Sequence, residues 1–545
     1  MNENSSRDWL IELGRQKDLA SRILSATRFN LRTSLLCSAV GRKESGDCMS
    51  WNAKLIDTFL SSFVVCSAAA GLALLIGLIL ALLTRCLRVP TSPMLGTALL
   101  SLVFVPIYVQ ATAWSAGFGL QGWLRFSQVA AAISPAQAMF SVVWIHGTAI
   151  SPICYLLCSM GIARAIDTDT RQALMDFGSR YAVTQVLIPK LGPWIAACFL
   201  ISVALIGNDM VVTNLFQVPT LTESLYQQVQ FNEIRIWSVL ASCSFVFLLG
   251  IVVWSTAIKS IAFLGPERSG GNQPANSDTF AIQGYWKWLG AFVGWLVVCL
   301  VVLVPVANLI AKAGWVARAE PQGIQRGWSV SRFAESILEL GSFRAELVWS
   351  LQLSLYATGF ALALGIFSVS LAKSRWSSSI WIACMAMLLA TPGPLINLVL
   401  IKLSNSVQTD FLIYSADRTI AIPILALQSR CWPIAFGILW VAQQRFSLRH
   451  QHQMAIDLGL PFSTRFWVRA QAMTLPILTS ALVCFFVSFA DLSSYLLVLP
   501  PGVTTVSMRM FDLLHYGVKN QDASLALGLA VCGMLASVLL LRKTK

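Results

Sequence analysis

Long apolar runs alternate with short polar segments along nearly the whole chain. Five runs of about 20 residues or more occupy the first part of the sequence, at about 58–84, 94–114, 135–160, 191–215 and 236–262. Six more follow at about 286–311, 348–372, 379–402, 419–442, 477–498 and 523–541. Each is long enough to cross about 30 Å of hydrocarbon as a helix. The pattern predicts an all-α polytopic membrane protein with about 11 transmembrane helices.

One polar segment occurs twice, at the same place in two similar series of apolar runs. Q-A-L-M-D-F-G begins at Gln172, and Q-M-A-I-D-L-G begins at Gln453, 281 positions later. The apolar run before each segment contains a proline, Pro152 or Pro433, again 281 positions apart. A repeat of this length predicts two homologous helical-bundle halves. The predicted order is a polar tail (1–57), a first half (58–262), a flexible linker (263–285) and a second half (286–545).

Composition and charge agree with this reading and exclude other classes. Hydrophobic residues make up 56% of the chain and charged residues 12%, too few to cover a soluble protein of 545 residues. The net charge of +14 is concentrated in short segments between apolar runs. The positive-inside rule explains this distribution better than nucleic-acid binding does. It places the loops around 161–190 and 443–476, and the C-terminus, in the cytoplasm.

The polar tail fits this orientation poorly. Alternation of 11 spans puts residues 1–57 outside, although they carry nine Lys and Arg. Long segments can cross a membrane despite such charge. The tail could equally lie on the inner surface as an amphipathic helix, or the start of the chain could be wrongly assigned. The sequence leaves these three readings open.

Two acidic residues lie within apolar runs, where an ionised carboxylate is costly. Asp209 stands in I-G-N-D-M-V and Asp491 in S-F-A-D-L-S, 282 positions apart. They could line or gate a hydrated pathway between the halves, or cap a helix end near the outer surface through backbone hydrogen bonds. His146 is a lone histidine in a span, and we expect it to be packed and hydrogen-bonded.

The repeated segments resemble the cytoplasmic E-A-A-x-x-x-G loop of the membrane subunits of binding-protein-dependent ABC importers. Glutamine replaces the glutamate of that loop in both copies. The resemblance extends over about 58–262 and 286–541, although residues 1–50 contain no span to serve as the opening helix of the first half. The fused form is similar to iron(III) permeases and, somewhat less, to thiamine permeases. The matching residues, together with the acidic residue in each loop, are Gln172, Ala173, Asp176, Gly178, Gln453, Ala455, Asp457 and Gly459.

This resemblance implies a function and a set of partners. The loops would dock onto two copies of an ATP-binding cassette ATPase subunit. A separate extracytoplasmic solute-binding protein would deliver a small solute, with ferric iron as a candidate. The location implied is the inner membrane of a bacterium, in contact with lipid. The glycine that ends each loop is expected at positive φ, because glycine permits the tight reversal into the next helix.

Enzyme chemistry is not visible in the sequence. There is no G-x-x-x-x-G-K-[ST], so ATP hydrolysis is expected on another subunit, and no H-E-x-x-H or G-x-S-x-G suggests a catalytic centre. The 13 cysteines include no CxxC pair. We therefore expect a non-catalytic protein without cofactor, metal site or nucleic-acid partner. The alternative is an ion-coupled secondary transporter, which would need coupling-ion sites in broken helices.

Overall fold

The computed structural model describes most of the chain. The described residues are 45–86, 89, 91–119, 122–124, 134–263, 285–320, 323–372, 374–406, 419–444, 456–459 and 461–543. The chain divides into two units, Met1–Asp57 and Thr58–Lys545, and the second unit holds nearly all the described elements. Residues 1–44, which make up most of the predicted tail, lie outside the described residues.

The first half consists of helices joined by short turns. Its helices are α1 (Ser45–Ala81), α2 (Ser92–Leu100), α3 (Ile107–Phe118), α4 (Pro135–Ala165), α5 (Thr168–Tyr181), α6 (Ile188–Gly207), α7 (Val211–Leu215), α8 (Leu221–Gln230) and α9 (Ile236–Phe263). Short π or 3-10 segments extend three of them, at Leu82–Cys86, Ser101–Phe104 and Ala182–Leu187.

The second half repeats this order after one additional crossing and a small hairpin. The additional crossing is α10 (Tyr285–Val298), a π segment (Cys299–Leu303) and α11 (Val304–Ala313), followed by antiparallel strands β1 (Trp315–Glu320) and β2 (Gly323–Trp328). The remaining helices are α12 (Val330–Leu338), α13 (Arg344–Leu371), α14 (Arg375–Ala390), α15 (Gly393–Ser406), α16 (Ala421–Gln443), α17 (Phe462–Ala490), α18 (Val506–His515) and α19 (Asn520–Lys543). Two 3-10 turns, Glu339–Phe343 and Leu496–Val498, accompany them. The predicted all-α polytopic architecture is confirmed, with this unpredicted hairpin added.

Nine helices of the described part are long and apolar enough to cross a membrane, and two bent helix pairs raise the number to 11. The pairs are Ser92–Phe104 with Ile107–Phe118, bent by 106°, and Trp376–Ala390 with Gly393–Asn405, bent by 93°. They correspond to the predicted spans at 94–114 and 379–402. Pro106 and Pro392 lie at the two breaks, where a residue without an amide hydrogen interrupts the helical hydrogen bonds.

Side-chain contacts show in which direction the first bent pair takes the chain. Gly147 of α4 lies against Leu72 of α1, and Tyr155 of α4 is hydrogen-bonded to Thr84, just beyond α1, at 3.2 Å. The residue numbers rise together, so α1 and α4 run parallel. The bent pair between them therefore returns the chain to the side from which α1 started.

The second half has the same arrangement. Gln428 Nε2 of α16 donates to the Ala357 carbonyl of α13 at 3.2 Å, and Trp432 Nε1 donates to Ser368 Oγ at 2.8 Å. Helices α13 and α16 are therefore parallel, and the bent pair α14–α15 makes the return crossing. Six crossings separate α5 from the turn at 456–459: α6, α9, α10–α11, α13, the bent pair α14–α15 and α16. Because this number is even, α5 and the turn lie at the same end of the bundle.

The two halves interdigitate. Helix α9 packs along α14, α3 packs along α11, and α19 packs against the 3-10 turn Ser101–Phe104. The rings of Phe104 and Phe486 stack across the boundary with centroids 4.5 Å apart. Glycines allow close approach where helices cross; Gly250 of α9, for example, lies against Met387 of α14. The ends of α6 and α17 are thereby held deep within the interface between the halves.

Candidate functional site

The first repeated loop is a helix that ends in a sharp bend. Helix α5 contains Gln172, Ala173 and Asp176, and its helical geometry breaks at Gly178, with φ 83° and ψ 173°. Residues other than glycine hardly ever adopt this combination. Gly459 of the second loop has φ 66°. The expectation of positive φ is confirmed at both glycines, whereas Gln453 and Ala455 lie outside the described residues.

Both loops expose apolar side chains at equivalent positions. Met175 is 84% exposed and Phe177 66%, and their counterparts 281 positions later, Ile456 and Leu458, are 47% and 71% exposed. Asp176 and Asp457 are exposed between them, and Ala173 is buried. Exposed apolar groups rimmed by polar residues are typical of a docking surface. We call Met175, Phe177, Ile456 and Leu458 the loop apolar residues.

Helix α5 is tied to the spans on either side of it. Lys190 Nζ of α6 donates to both oxygens of Asp167 at 2.7 Å, and Thr170 Oγ1 donates to the Ala165 carbonyl at the end of α4 at 2.7 Å. Burial alone would raise the pKa of the Asp167 carboxyl, but hydrogen bonds from Lys190 and Thr170 outweigh it and hold this pKa below its usual value. The Asp167 carboxyl is therefore ionised at neutral pH, and these hydrogen bonds connect the start of α5 to both α4 and α6.

The two acidic residues of the spans occupy equivalent positions. Asp209 follows the end of α6, and Asp491 follows the end of α17. Each side chain is only 11% exposed. Asp209 Oδ2 accepts from the Val212 backbone at 3.0 Å, and Asp491 Oδ1 accepts from the Ser494 backbone at 3.4 Å. Both carboxylates thus cap a turn, as one reading of the sequence expected, but they do so inside the protein.

His146 lies against Asp209. Its Nδ1 lies 2.8 Å from the Val142 carbonyl. Its Nε2 lies 3.2 Å from Asp209 Oδ2. The expectation that His146 is packed and hydrogen-bonded is confirmed.

The second half uses an arginine in the same role. Arg430 Nε lies 3.7 Å from Asp491 Oδ2, and Nη1 donates to the Leu389 carbonyl at 2.8 Å. Arg430 lies inside α16, in Q-S-R-C-W-P, and is buried. Arg430 is not among the residues predicted from the sequence. The signal was present, because an arginine within an apolar run carries the same cost that drew attention to the aspartates.

The Leu389 carbonyl joins the two halves at this point. It accepts from Arg430 Nη1 of the second half and from Asn208 Nδ2 of the first. Leu389 is the penultimate residue of α14, just before the break at Pro392. Asp209 follows Asn208 directly, and Asp491 Oδ2 lies 3.7 Å from Arg430 Nε. We call His146, Asp209, Arg430 and Asp491 the charged cluster.

Two buried amides follow the helix breaks, and a small cavity adjoins Asp209. Gln110 and Asn397, which follow the breaks at Pro106 and Pro392, are buried, and their amide atoms have no hydrogen-bond partner within the described part of the chain. Buried amides of this kind commonly bind water or a polar ligand. A cavity of about 30 Å³, room for one or two waters, adjoins Asp209 and is lined by residues of α1, α6, α8 and α9, and by Pro392.

A second link between the halves lies beyond α6. His515 Nε2 donates to Asn214 Oδ1 at 3.0 Å, and Asn214 Nδ2 donates to Glu223 Oε1 at 3.3 Å. Gln227 Nε2 also donates to this oxygen. Burial raises the pKa of Glu223 above its usual value, and the two amide donors offset only part of that effect. Among the described residues, no cluster of three or more His, Cys, Asp or Glu could hold a metal ion.

No protein-family model matches this sequence, and comparisons with curated proteins and with solved structures return no match.

Proposed function

We propose that the chain is the non-catalytic membrane subunit of an ATP-driven importer in the inner membrane of a bacterium. One observation carries the proposal. Two cytoplasmic loops, 281 residues apart, each expose apolar side chains beside a glycine at positive φ. A secondary transporter has no need of two matched loops of this kind. Two copies of an ATPase subunit would dock on them and transmit closure on ATP through α4 and α6.

The position of the charged cluster supports a pathway between the halves. Asp209 and Asp491 come from equivalent places in the two repeats. Asn208, next to Asp209, donates to the Leu389 carbonyl, and this carbonyl also accepts from Arg430, the partner of Asp491. Unpaired buried amides lie beyond each helix break. An extracytoplasmic binding protein would deliver the solute to this pathway. Ferric iron remains the candidate cargo, on the resemblance alone.

The docking of the ATPase can be tested without knowing the cargo. The chain would be purified in mild detergent from its native membrane, and ATPase activity in the purified complex measured. Met175→Glu and Leu458→Glu should each reduce the activity that co-purifies, and the double variant should abolish it. Phe231→Glu and Tyr516→Glu are matched controls, because these side chains are equally exposed, at 70% and 74%, but follow α8 and α18 at the other end of the bundle. Full co-purified activity with the Met175→Glu/Leu458→Glu double variant would reject the proposal.

One observation favours the alternative, an ion-coupled secondary transporter. The Leu389 carbonyl, just before the break between α14 and α15, accepts from Arg430 of the charged cluster, and His146 and Asp209 lie 3.2 Å apart within the membrane region. Broken helices and protonatable pairs serve as coupling sites in such transporters. Uptake into vesicles separates the two functions. ATP-driven uptake that persists with a protonophore supports the importer, and uptake that follows only an ion gradient supports the alternative.

A further inference from the structure

We propose that Arg430 is a tethered cation that occupies a cation site at Asp491, where the two halves meet. In the resting protein its guanidinium fills the position that a free metal ion would otherwise take. This goes beyond the importer function and holds for either energy source. It predicts that Arg430 keeps inorganic cations out of the pathway.

Arg430 lies far from both ends of α16. Nine residues of α16 precede it and 13 follow, which at a 1.5 Å rise corresponds to roughly 14 Å and 20 Å of helix. A charge at this depth is tolerated only if it faces the protein interior and has a partner. Arg430 is 5% exposed; its Nη1 donates to the Leu389 carbonyl, and its Nε lies 3.7 Å from Asp491 Oδ2. The guanidinium is therefore buried against oxygen atoms of the protein.

The ion pair is loose. The shortest Arg430–Asp491 separation is 3.7 Å, beyond hydrogen-bonding distance, and neither Arg430 Nη2 nor Asp491 Oδ2 has a hydrogen-bond partner in the described ranges. A structural arginine–carboxylate pair normally forms two short parallel hydrogen bonds. Arg430 here neutralises charge while binding its carboxylate weakly, which is the behaviour of an exchangeable counter-ion.

The repeat supplies an internal comparison. The residue 281 positions before Arg430 is Ala149, so the first half has no arginine at this place. Asp209 instead lies 3.2 Å from His146 Nε2. The first carboxylate thus has a histidine as its partner, whereas the second has an arginine, which is always charged. Removal of the guanidinium therefore leaves one negative charge uncompensated at the interface.

The groups that remain after such a removal suit a hard cation. The Asp491 carboxylate, the Leu389 carbonyl and the Ser493 hydroxyl, which lies 3.1 Å from Asp491 Oδ1, are all oxygen ligands. Oxygen-only sets of this kind bind Ca²⁺, Mg²⁺ or Mn²⁺. The ligand class is thus a divalent cation.

The first test measures thermal unfolding of the purified chain with EDTA and with increasing Ca²⁺, Mg²⁺ or Mn²⁺. Arg430→Gln should gain a saturable rise in Tm with the cation, which the wild-type protein lacks. Arg430→Lys, which keeps the charge, should behave like wild type. Arg430→Gln/Asp491→Asn should lose the response. Arg332→Gln is the matched control, because it removes an arginine from a surface pair with Glu335, 3.2 Å away.

The second test measures cation leak from liposomes that contain the chain without an ATPase subunit. A unit charge a few ångströms away in a partly buried site changes the occupancy of a cation by roughly tenfold or more. The leak through Arg430→Gln should rise by about that factor over Arg332→Gln. Asp491→Asn in the same chain should reverse the rise. If the Tm of Arg430→Gln rises with cation but the leak does not, the cation site is supported, and the idea that Arg430 keeps cations out of the pathway is rejected.

The proposal would be overturned if divalent cations changed the Tm of neither Arg430→Gln nor Arg332→Gln, and if both variants leaked cations at the same rate. Arg430→Gln could be recovered as folded protein only when a divalent cation is present during extraction. Such cation-dependent recovery would itself be evidence that the variant binds the cation. Failure of Arg430→Gln together with Arg430→Gln/Asp491→Asn, with or without cation, would also overturn it. The arginine would then be required for packing and not for its charge.

Discussion

Replacement of Gly178 by valine isolates the mechanical role of the first loop. Gly178 has φ 83° and ψ 173°, a region that costs other residues about 1–3 kcal/mol, and a β-branched side chain lies toward the upper end. An added Cβ would meet no atom within 4 Å. The penalty is therefore entirely conformational, and valine should shift the loop out of its bent geometry without disturbing the core.

The size of the effect follows from that penalty. If the ATPase subunit binds only the bent loop, a loss of about 1–3 kcal/mol weakens docking by roughly 5- to 150-fold. Membrane insertion and Tm should change little, because Gly178 is exposed. Gly459 also has a positive φ, so valine should be unfavourable there as well. The double variant Gly178→Val/Gly459→Val should lose coupling to the ATPase altogether.

The assay is ATP-driven uptake and co-purified ATPase activity, each normalised to the amount of protein in the membrane. Gly359→Val is the matched control: a Cβ there also meets no atom within 4 Å, but Gly359 lies in regular α13, where valine is a slightly better helix former than glycine. This control should keep full activity. Normal ATP-driven uptake by Gly178→Val/Gly459→Val would refute the reasoning.

Three further predictions concern other parts of the protein. An impermeant thiol reagent should fail to label a cysteine introduced at Ser179 in intact cells, because basic loops stay in the cytoplasm; labelling from outside would reverse the assigned orientation. Asp209→Asn/Asp491→Asn should lose most uptake while ATPase activity persists, and full uptake with normal expression would exclude an electrostatic role. Burial raises the pKa of Glu223 in the folded protein above its value in the unfolded chain, which is about 4.3. The free energy of unfolding of the wild-type protein should therefore fall as the pH rises from about 4.3 through the raised pKa. Glu223→Gln should remove this fall and raise Tm at neutral pH in a melting series, whereas parallel pH profiles would contradict the assignment.

The hydropathy pattern predicted where the spans lie along the chain, but it did not predict that two of them are bent. The runs at 94–114 and 379–402 look continuous by composition, yet each is bent by about a right angle. Hydropathy averages over a window and does not register where a helix bends, although Pro106 and Pro392 mark both places. The hairpin Trp315–Trp328 was also missed, because W-V-A-R-A-E shows no strong alternation.

The candidate site was predictable only in part. The repeat located Asp209, Asp491 and both loop glycines, because each is a local departure from an apolar or helical pattern. The partners of the aspartates depend on how α4 and α16 pack, which the order of residues does not encode in any local pattern. Arg430 could have been found from its own position, but its contact with the Leu389 carbonyl comes from the interdigitation of the halves.

The crossing formed by α10 and α11 makes the two repeats run in the same direction through the bundle. With each bent pair counted once, a repeat contains five crossings, so two repeats joined directly would point in opposite directions. Their loops would then face opposite compartments, and a single cytoplasmic enzyme could not reach both. Tyr285–Ala313, which has no counterpart among the described helices of the first half, restores the parity. A tandem duplication of this five-helix unit can thus form a working parallel pair only by acquiring an odd number of additional crossings, whereas two separately inserted polypeptides would face no such constraint.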